Sequence, residues 1–333
     1  MTVKIAINGL GRIGRCVVRA IYENNSNDIE LVAINGRGPI ESHHHLLKYD
    51  SVHGRFPGNI ELKENSLVIN GDDIRVYRER EPENIPWIEH DVDVVLECTG
   101  VFKDQESAGK HIKAGAKKVI ISAPSKDSKM VVYGVNENIL EKDDNIISIG
   151  SCTTNCLAPV AKILNDTVGI SKGFVTTIHA FTNDQNTTDS THSDYRRARA
   201  ASLSMIPTST GAAKAIGKVI PELSGKLDGT AIRVPTPNVS MIDFCFVSDK
   251  GVNGEEINDI LRKDLSGSLA EVLGISEEPL VSIDFNHNSY SSVFDTTATK
   301  VLQENFIRVA AWYDNEWGFS QRMIDVAKLL GKN

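Results

Sequence analysis

No apolar run in the chain exceeds about five residues, far short of the ~20 that a membrane-spanning helix needs. Residues 1–7 lack the basic start, long apolar stretch and cleavage site of a secretory leader. Basic residues are the minority charge: 36 Lys and Arg stand against 44 Asp and Glu, a net charge of −8. That balance argues against a dedicated nucleic-acid binder. Cysteines are few and odd in number: Cys16, Cys98, Cys152, Cys156 and Cys245. No two have C-x-x-C spacing, so neither a disulfide framework nor a zinc site is expected. A metal-free protein in a reducing, cytoplasmic compartment fits best. Internal repeats and low-complexity segments are also missing, which excludes solenoids and disordered tails.

What is present is an ordinary globular composition, 41% hydrophobic and 24% charged. The length of 333 residues, at roughly 150 residues per domain, suggests about two domains. In the first half, short apolar runs alternate with helix-like stretches. Strand-like runs cover residues 3–7, 30–34, 92–97, 118–122 and 145–149, with a helix over 16–22. That alternation predicts βαβ units and a parallel sheet. The second half has strand-like runs at 174–180, 231–234, 241–247 and 306–313 with long polar connections. It predicts an α+β domain with a largely antiparallel sheet. Residues 319–330 read as an amphipathic helix with Met323, Val326, Leu329 and Leu330 on one face. The boundary is placed near Gly150, giving domains 1–150 and 151–315, with helix 316–333 returning to the first.

Gly9-Leu10-Gly11-Arg12-Ile13-Gly14 follows the first strand and opens the first helix. In that context G-x-G-x-x-G predicts a Rossmann-type dinucleotide site. Gly9 permits the tight turn, Gly11 lets a pyrophosphate approach, and Gly14 lets helix and strand pack closely. About 20 residues on, an acid is expected for the adenosine ribose. The chain has Gly36 there, followed by Arg37. With no carboxylate to repel it, a ribose 2′-phosphate is acceptable, and Arg37 can pair with one.

Cys152 follows a strand-like run and precedes a helical one, at residues 157–164. A helix N-terminus lowers a thiol pKa, so Cys152 is the candidate nucleophile. Cys156, one turn deeper, reads as a small buried residue. A base is needed, and spacing alone leaves His179, His192 and His287 open; beside the thiol, an imidazole would make a thiolate–imidazolium pair. Thr153, Thr182, Arg197, Arg199, Thr210 and Arg233 are candidates for phosphate contacts. The run His43-His44-His45 reads as a solvated loop or helix start rather than a metal site.

Motifs along essentially the whole chain resemble the phosphorylating glyceraldehyde-3-phosphate dehydrogenases. They include INGLGRIGR (7–15), LLKYDSVHG (46–54), ECTGVF (97–102), SAPSKD (122–127) and SCTTNCLAP (151–159). TTIHAFTNDQ (176–185), RRARAA (196–201), IPTSTGAAKA (206–215), RVPTPNVS (233–240) and WYDNEWG (312–318) follow in order. The resemblance implies that Cys152 attacks the aldehyde and that His179 acts as base and oxyanion partner beside the Cys152 backbone N–H. Hydride would pass to NAD or NADP, leaving a thioester that inorganic phosphate cleaves to 1,3-bisphosphoglycerate, a step of glycolysis and gluconeogenesis. It further implies that Thr182 and Arg233 hold the phosphate of glyceraldehyde 3-phosphate. Ser151, Thr153, Thr210 and Arg197 would hold the attacking phosphate. Arg12, Ile13, Thr99, Ser122 and Asn315 would line the cofactor site, Asn315 at the nicotinamide amide. A homotetramer is implied as well.

Two departures bear on the cofactor. NAD-linked members of the family carry Asp where this chain has Gly36, and Leu-Pro where it has Ser190-Thr191. Both changes resemble the NADP-accepting members, so NADP use is favoured, alone or beside NAD. Two alternatives are carried forward. Residues 279–287 (PLVSIDFNH) and Ala200-Ala201-Ser202 are compatible with an erythrose-4-phosphate dehydrogenase, whereas residues 208–214 (TSTGAAK) fit the phosphorylating enzyme better. A catalytically silent, NAD(P)-binding regulatory protein is the other.

Overall fold

A computed structural model of the chain describes all residues except Met1, Asn25, Ser26, Leu265, Ser266, Ser268 and Asn333. The chain divides into two compact units. One holds residues 1–133, 137–151 and 319–333; the other holds 134–136 and 152–318.

The first unit is built on a nine-stranded sheet. Its order is Lys129–Met130, Ile146–Ser148, Lys118–Ile121, Val94–Glu97, Val3–Asn8, Ile29–Asn35, Asp72–Tyr77, Ser66–Ile69 and Ile60–Leu62. All pairs are parallel up to Asp72–Tyr77; the last two strands add on antiparallel. The central strand is apolar on both faces, with Ile5, Ala6 and Ile7 fully buried, as a parallel sheet covered on both sides requires. Each such isoleucine contributes about 1.5–3 kcal/mol of burial. Helices α1 (Arg12–Glu23), α2 (Ile40–Lys48) and α3 (Gln105–Lys113) connect the strands. Fully buried Trp87 anchors a core cluster with Ala6, Ala33, Val95, Ala108 and Val119. The hairpin over residues 66–77 escaped the apolar-run reading because its exposed positions are charged. Its turn signal was present: Asn70-Gly71 takes φ of 49° and 104°, the left-handed pair of a tight hairpin turn.

The second unit has a seven-stranded sheet. Its order is Ile206–Ser209, Leu227–Val234, Lys172–Ala180, Ser240–Val247, Phe306–Tyr313, Ser292–Leu302 and Leu273–Ser276. Pairing is antiparallel except between Leu227–Val234 and Lys172–Ala180 and between Leu273–Ser276 and Ser292–Leu302. Strand Ser240–Val247 alternates buried and half-buried residues, so one face is covered. Helix α4 (Cys152–Val168) lies on that sheet, as do α5 (Ala212–Val219) and α6 (Gly254–Lys263).

The last helix, α7 (Trp317–Lys332), belongs to the first unit from Phe319 onward. Its one-face reading was too narrow. Ile324 and Ala327 are buried along with Met323, Val326 and Leu330, while Leu329 is only half-buried. A Cβ on Gly331 would lie 2.3 Å from Val3 Cγ1, so the helix end abuts the central strand.

Candidate active site

The glycine-rich turn joins strand Val3–Asn8 to α1. Gly9 takes φ of 101°, and a Cβ there would lie 2.8 Å from the Thr99 methyl. A Cβ on Gly14 would sit 1.9 Å from the Gly9 carbonyl oxygen. Gly11 faces open space within 4 Å. It caps α1 without a side-chain hydrogen bond, and the first turn carries no acid. The N–H groups and positive dipole end are therefore left for an anion, and the cradle fits a dinucleotide pyrophosphate. Arg12 is clamped by Asp50 at 2.5 and 3.2 Å. The Asp50 carboxylate also accepts from the Val52 and His53 N–H groups at 2.8 and 2.9 Å. These donors hold Asp50 well below the usual carboxylate range despite its burial.

Beneath the strand ends lies a buried polar network that the sequence reading missed. Asn35 Nδ2 donates to Asn8 Oδ1 at 2.7 Å, and Asn8 Nδ2 donates to Glu97 at 2.6 Å. Glu97 accepts from His111 Nε2 at 3.0 Å, and Trp87 Nε1 donates to His111 Nδ1 at 3.0 Å. The Trp87 bond makes Nδ1 the acceptor, so the ring proton sits on Nε2 and faces Glu97. Glu97 also accepts from the Thr99 N–H at 2.8 Å and from its hydroxyl. Thr99 is thus pinned beside Gly9. Ser122 is half-buried, and its N–H donates to the Glu97 carbonyl at 3.1 Å. Gly36 is buried and Arg37 exposed.

In the second unit, Cys152 opens α4, and His179 stands near the end of strand Lys172–Ala180. Sγ lies 3.5 Å from His179 Nε2. Of the three candidate histidines, His179 is the one placed against the sulfur. His192 instead lies 3.5 Å from Asp184, and His287 stacks on Trp317 with ring centroids 3.6 Å apart. His179 Nδ1 is 2.7 Å from the Ala180 carbonyl and 2.7 Å from Arg233 Nη1. Arg233 reaches it because the two residues are register partners on neighbouring parallel strands.

The electrostatics around Cys152 oppose the pull of the α4 N-terminus. The residue is half-buried, but its sulfur is desolvated, and burial pushes the thiol up against the opposing pull of Arg233 and the local N–H groups. Burial, aided by the Arg233 charge, lowers His179 to about 3. Both shifts favour the neutral forms of thiol and imidazole. Cys156 is fully buried 3.4 Å from Ser292 Oγ, and burial raises its thiol strongly.

The hydroxyl and arginine candidates divide. Thr153 Oγ1 is 2.8 Å from the buried Tyr313 hydroxyl, which also meets Thr177 at 2.9 Å. Tyr313 packs edge-on to His179 at 5.8 Å. Sequence reading missed it, although it stands inside the WYDNEWG motif. Arg197 is half-buried and donates to Thr208 Oγ1 at 2.8 Å and to Asp184 at 2.7 Å. Thr210 Oγ1 accepts from the Ala212 N–H at 3.2 Å, at the start of α5. Thr182 bonds to Gln185 through its N–H at 3.0 Å. Arg199 pairs on the surface with Asp189 at 2.8 Å and takes no part in this group. Asn315 is buried and accepts from Ser240 Oγ at 2.8 Å, and Ser240 accepts from the Ala180 N–H at 3.1 Å. The position of Asn315 is thereby tied to the strand that carries His179. Ser190 and Thr191 are exposed. Ser151 closes the 137–151 stretch of the first unit.

Two family models match the chain. Residues 3–105 match the glyceraldehyde 3-phosphate dehydrogenase NAD binding domain, and residues 151–315 match the C-terminal domain of the same family. Relatives named glyceraldehyde-3-phosphate dehydrogenase cover the whole length. The one from Xanthobacter flavus is 55% identical over 333 residues, covering 100% of this chain and 99% of its own. That from Cereibacter sphaeroides is 52% identical with the same coverage. The Geobacillus stearothermophilus protein is 51% identical over 332 residues, covering 99% of this chain and 98% of its own. With both domain models matched and half the residues shared from end to end, the chain belongs to the glyceraldehyde-3-phosphate dehydrogenase family of NAD-dependent oxidoreductases.

Proposed function

We propose that Cys152 and His179 carry out the phosphorylating oxidation of glyceraldehyde 3-phosphate to 1,3-bisphosphoglycerate. The observation that carries this reading is the 3.5 Å contact between Cys152 Sγ and His179 Nε2. A neutral pair suits the first step. As sulfur attacks the carbonyl carbon, His179 takes the thiol proton and returns it to the new alkoxide, giving a thiohemiacetal. The backbone N–H of Cys152, at the positive end of α4, offers a donor to that oxygen. His179 then removes the hydroxyl proton while the carbon loses hydride. The nicotinamide cofactor supplies the hydride acceptor. The thioester left on Cys152 is attacked by inorganic phosphate, and the thiol regains a proton from His179.

Arg233 links substrate capture to this base. Guanidinium donates only, so His179 Nδ1 either accepts from Arg233 or donates to the Ala180 carbonyl. Once Arg233 turns to a substrate phosphate, the Nδ1 proton bonds Ala180 alone, and the Nε2 lone pair faces sulfur. Thr182 would share that phosphate. Ser151, Thr153, Thr210 and Arg197 would hold the attacking one through charge-assisted and hydroxyl contacts. Asn315 would fix the nicotinamide amide.

NADP is the favoured cofactor, alone or beside NAD. Support comes from Gly36 in the place of an acid, from exposed Arg37, and from exposed hydroxyls on Ser190 and Thr191. A homotetramer is also proposed; Tyr195, Leu203 and Met205 are 88, 85 and 75% exposed around the Ser190 loop, an apolar surface suited to a second copy. The five free cysteines fit a reducing cytoplasm. Steady-state kinetics with glyceraldehyde 3-phosphate, with each cofactor and with and without phosphate, tests the scheme. Phosphate-dependent turnover with kcat/KM for NADP at or above that for NAD is expected. Phosphate-independent turnover on erythrose 4-phosphate, or binding without turnover, would refute it.

A further inference from the structure

His43 lies in α2 with its ring against the Gly36-Arg37-Gly38 turn. A Cβ built on Gly36 would stand 2.7 Å from His43 Nε2, 3.1 Å from Cε1 and 3.3 Å from Cδ2. Gly38 faces the same ring at 3.2 Å. The residue is not solvated, as the run of three histidines suggested; it is 8% exposed. Among the described residues, no hydrogen bond of acceptable geometry reaches either ring nitrogen. The Gly36 backbone is near enough to favour the protonated ring, but burial and the charges of Arg15 and Arg78 outweigh it and lower the ring's pKa. A buried polar ring without partners is destabilising. An aliphatic side chain would fill the same space without that cost, so packing alone does not account for His43.

We propose that His43 is a specificity-determining residue, whose ring occupies the place where a carboxylate on residue 36 would have to stand. The proposal rests on the NADP reading above. An acid at this position accepts hydrogen bonds from the ribose hydroxyls and repels a 2′-phosphate. Here the first carbon of such a side chain would stand 2.7 Å from the ring, so the ring would have to shift to admit it. Half-buried Arg15 and exposed Arg78 put positive charge near the ring, and Arg37 stands exposed in the turn itself. Tolerance of a 2′-phosphate is therefore held by a pair, Gly36 with His43. Restoring the acid alone would not restore an NAD-type pocket.

Calorimetric titration with 5′-AMP and 2′,5′-ADP reads this preference without turnover, since the two ligands differ only in the 2′-phosphate. The proteins are wild type, G36D, H43A and G36D/H43A. G36D alone is expected to gain no affinity for 5′-AMP and to melt below wild type. The double variant should recover part of that melting loss, gain about tenfold on 5′-AMP and lose about tenfold on 2′,5′-ADP. Equal 5′-AMP gains in G36D and in the double variant would overturn the assignment. H43N, which shortens the side chain, supplies the same arm should H43A not fold. A wild type that prefers 5′-AMP would defeat the NADP reading alone, because the coupling between residues 36 and 43 is judged from the cycle of variants.

Discussion

Replacing His179 by Asn should make the protein less sensitive to acid. His179 is held neutral, with its pKa lowered to about 3 by burial and by Arg233. In the unfolded chain an imidazole titrates near about 6.5. Between those two values the unfolded state binds a proton that the folded state refuses, so stability falls as pH falls. The loss begins near pH 6.5 and is complete near pH 3. At pH 5 it amounts to about 1.5 pKa units, or about 2 kcal/mol. A folded-state value one unit higher would leave that figure almost unchanged. For a unit of about 150–250 residues, 1 kcal/mol moves the midpoint by about 2–4 °C. Scanning calorimetry at pH 7 and pH 5 should therefore show wild type losing about 4–8 °C more than His179→Asn. Other depressed groups, such as His43 and His90, act equally in both proteins. Equal losses, or a larger loss in the variant, would refute the reasoning. The second result would mean that His179 is charged in the fold, paired with a Cys152 thiolate.

The glycine turn offers a contrast between two substitutions. Gly14→Ala forces a carbon to 1.9 Å from the Gly9 carbonyl and should lower the melting temperature of the protein. Gly11→Ala meets nothing within 4 Å, so it should fold normally yet weaken NAD(P) binding in a fluorescence titration. Arg233→Ala should raise KM for glyceraldehyde 3-phosphate by roughly 10- to 100-fold, the loss of one charge-assisted contact of about 1.5–3 kcal/mol. It should leave the KM for inorganic phosphate within about threefold, the size of a sub-kcal/mol effect. His179→Asn should lower kcat by about 10²–10⁴, the range for a positioned general base. Asp50→Asn removes the clamp on Arg12 and should weaken binding of both cofactors alike, measured as equal rises in the two dissociation constants.

The sequence by itself determined much of the scaffold. The central strand was legible from the apolar run Ile5-Ala6-Ile7, buried on both faces as a covered parallel strand requires, with Lys4 and Asn8 beside it. The glycines at 9 and 14 were legible because each meets a local steric demand, whereas Gly11 faces open space and is read from the motif alone. Cys152 was legible from its place between a strand and a helix. Strands with charged outer positions, such as Asp72–Tyr77, were not, since their apolar content is half as dense. Spacing also left three histidines equal as partners of Cys152. Only the pairing of Lys172–Ala180 with Leu227–Val234 brings Arg233 beside His179, and only the packing of α4 on that sheet brings Sγ within reach of Nε2. The protonation states followed the same division. Proximity to a helix end argues from sequence for a thiolate, whereas desolvation, which pushes the other way, depends on every element folded around the sulfur. Likewise, three consecutive histidines look alike in one dimension. Helix α2 turns one of them under Gly36 and leaves its neighbours half-buried and exposed, because successive helical side chains point in different directions.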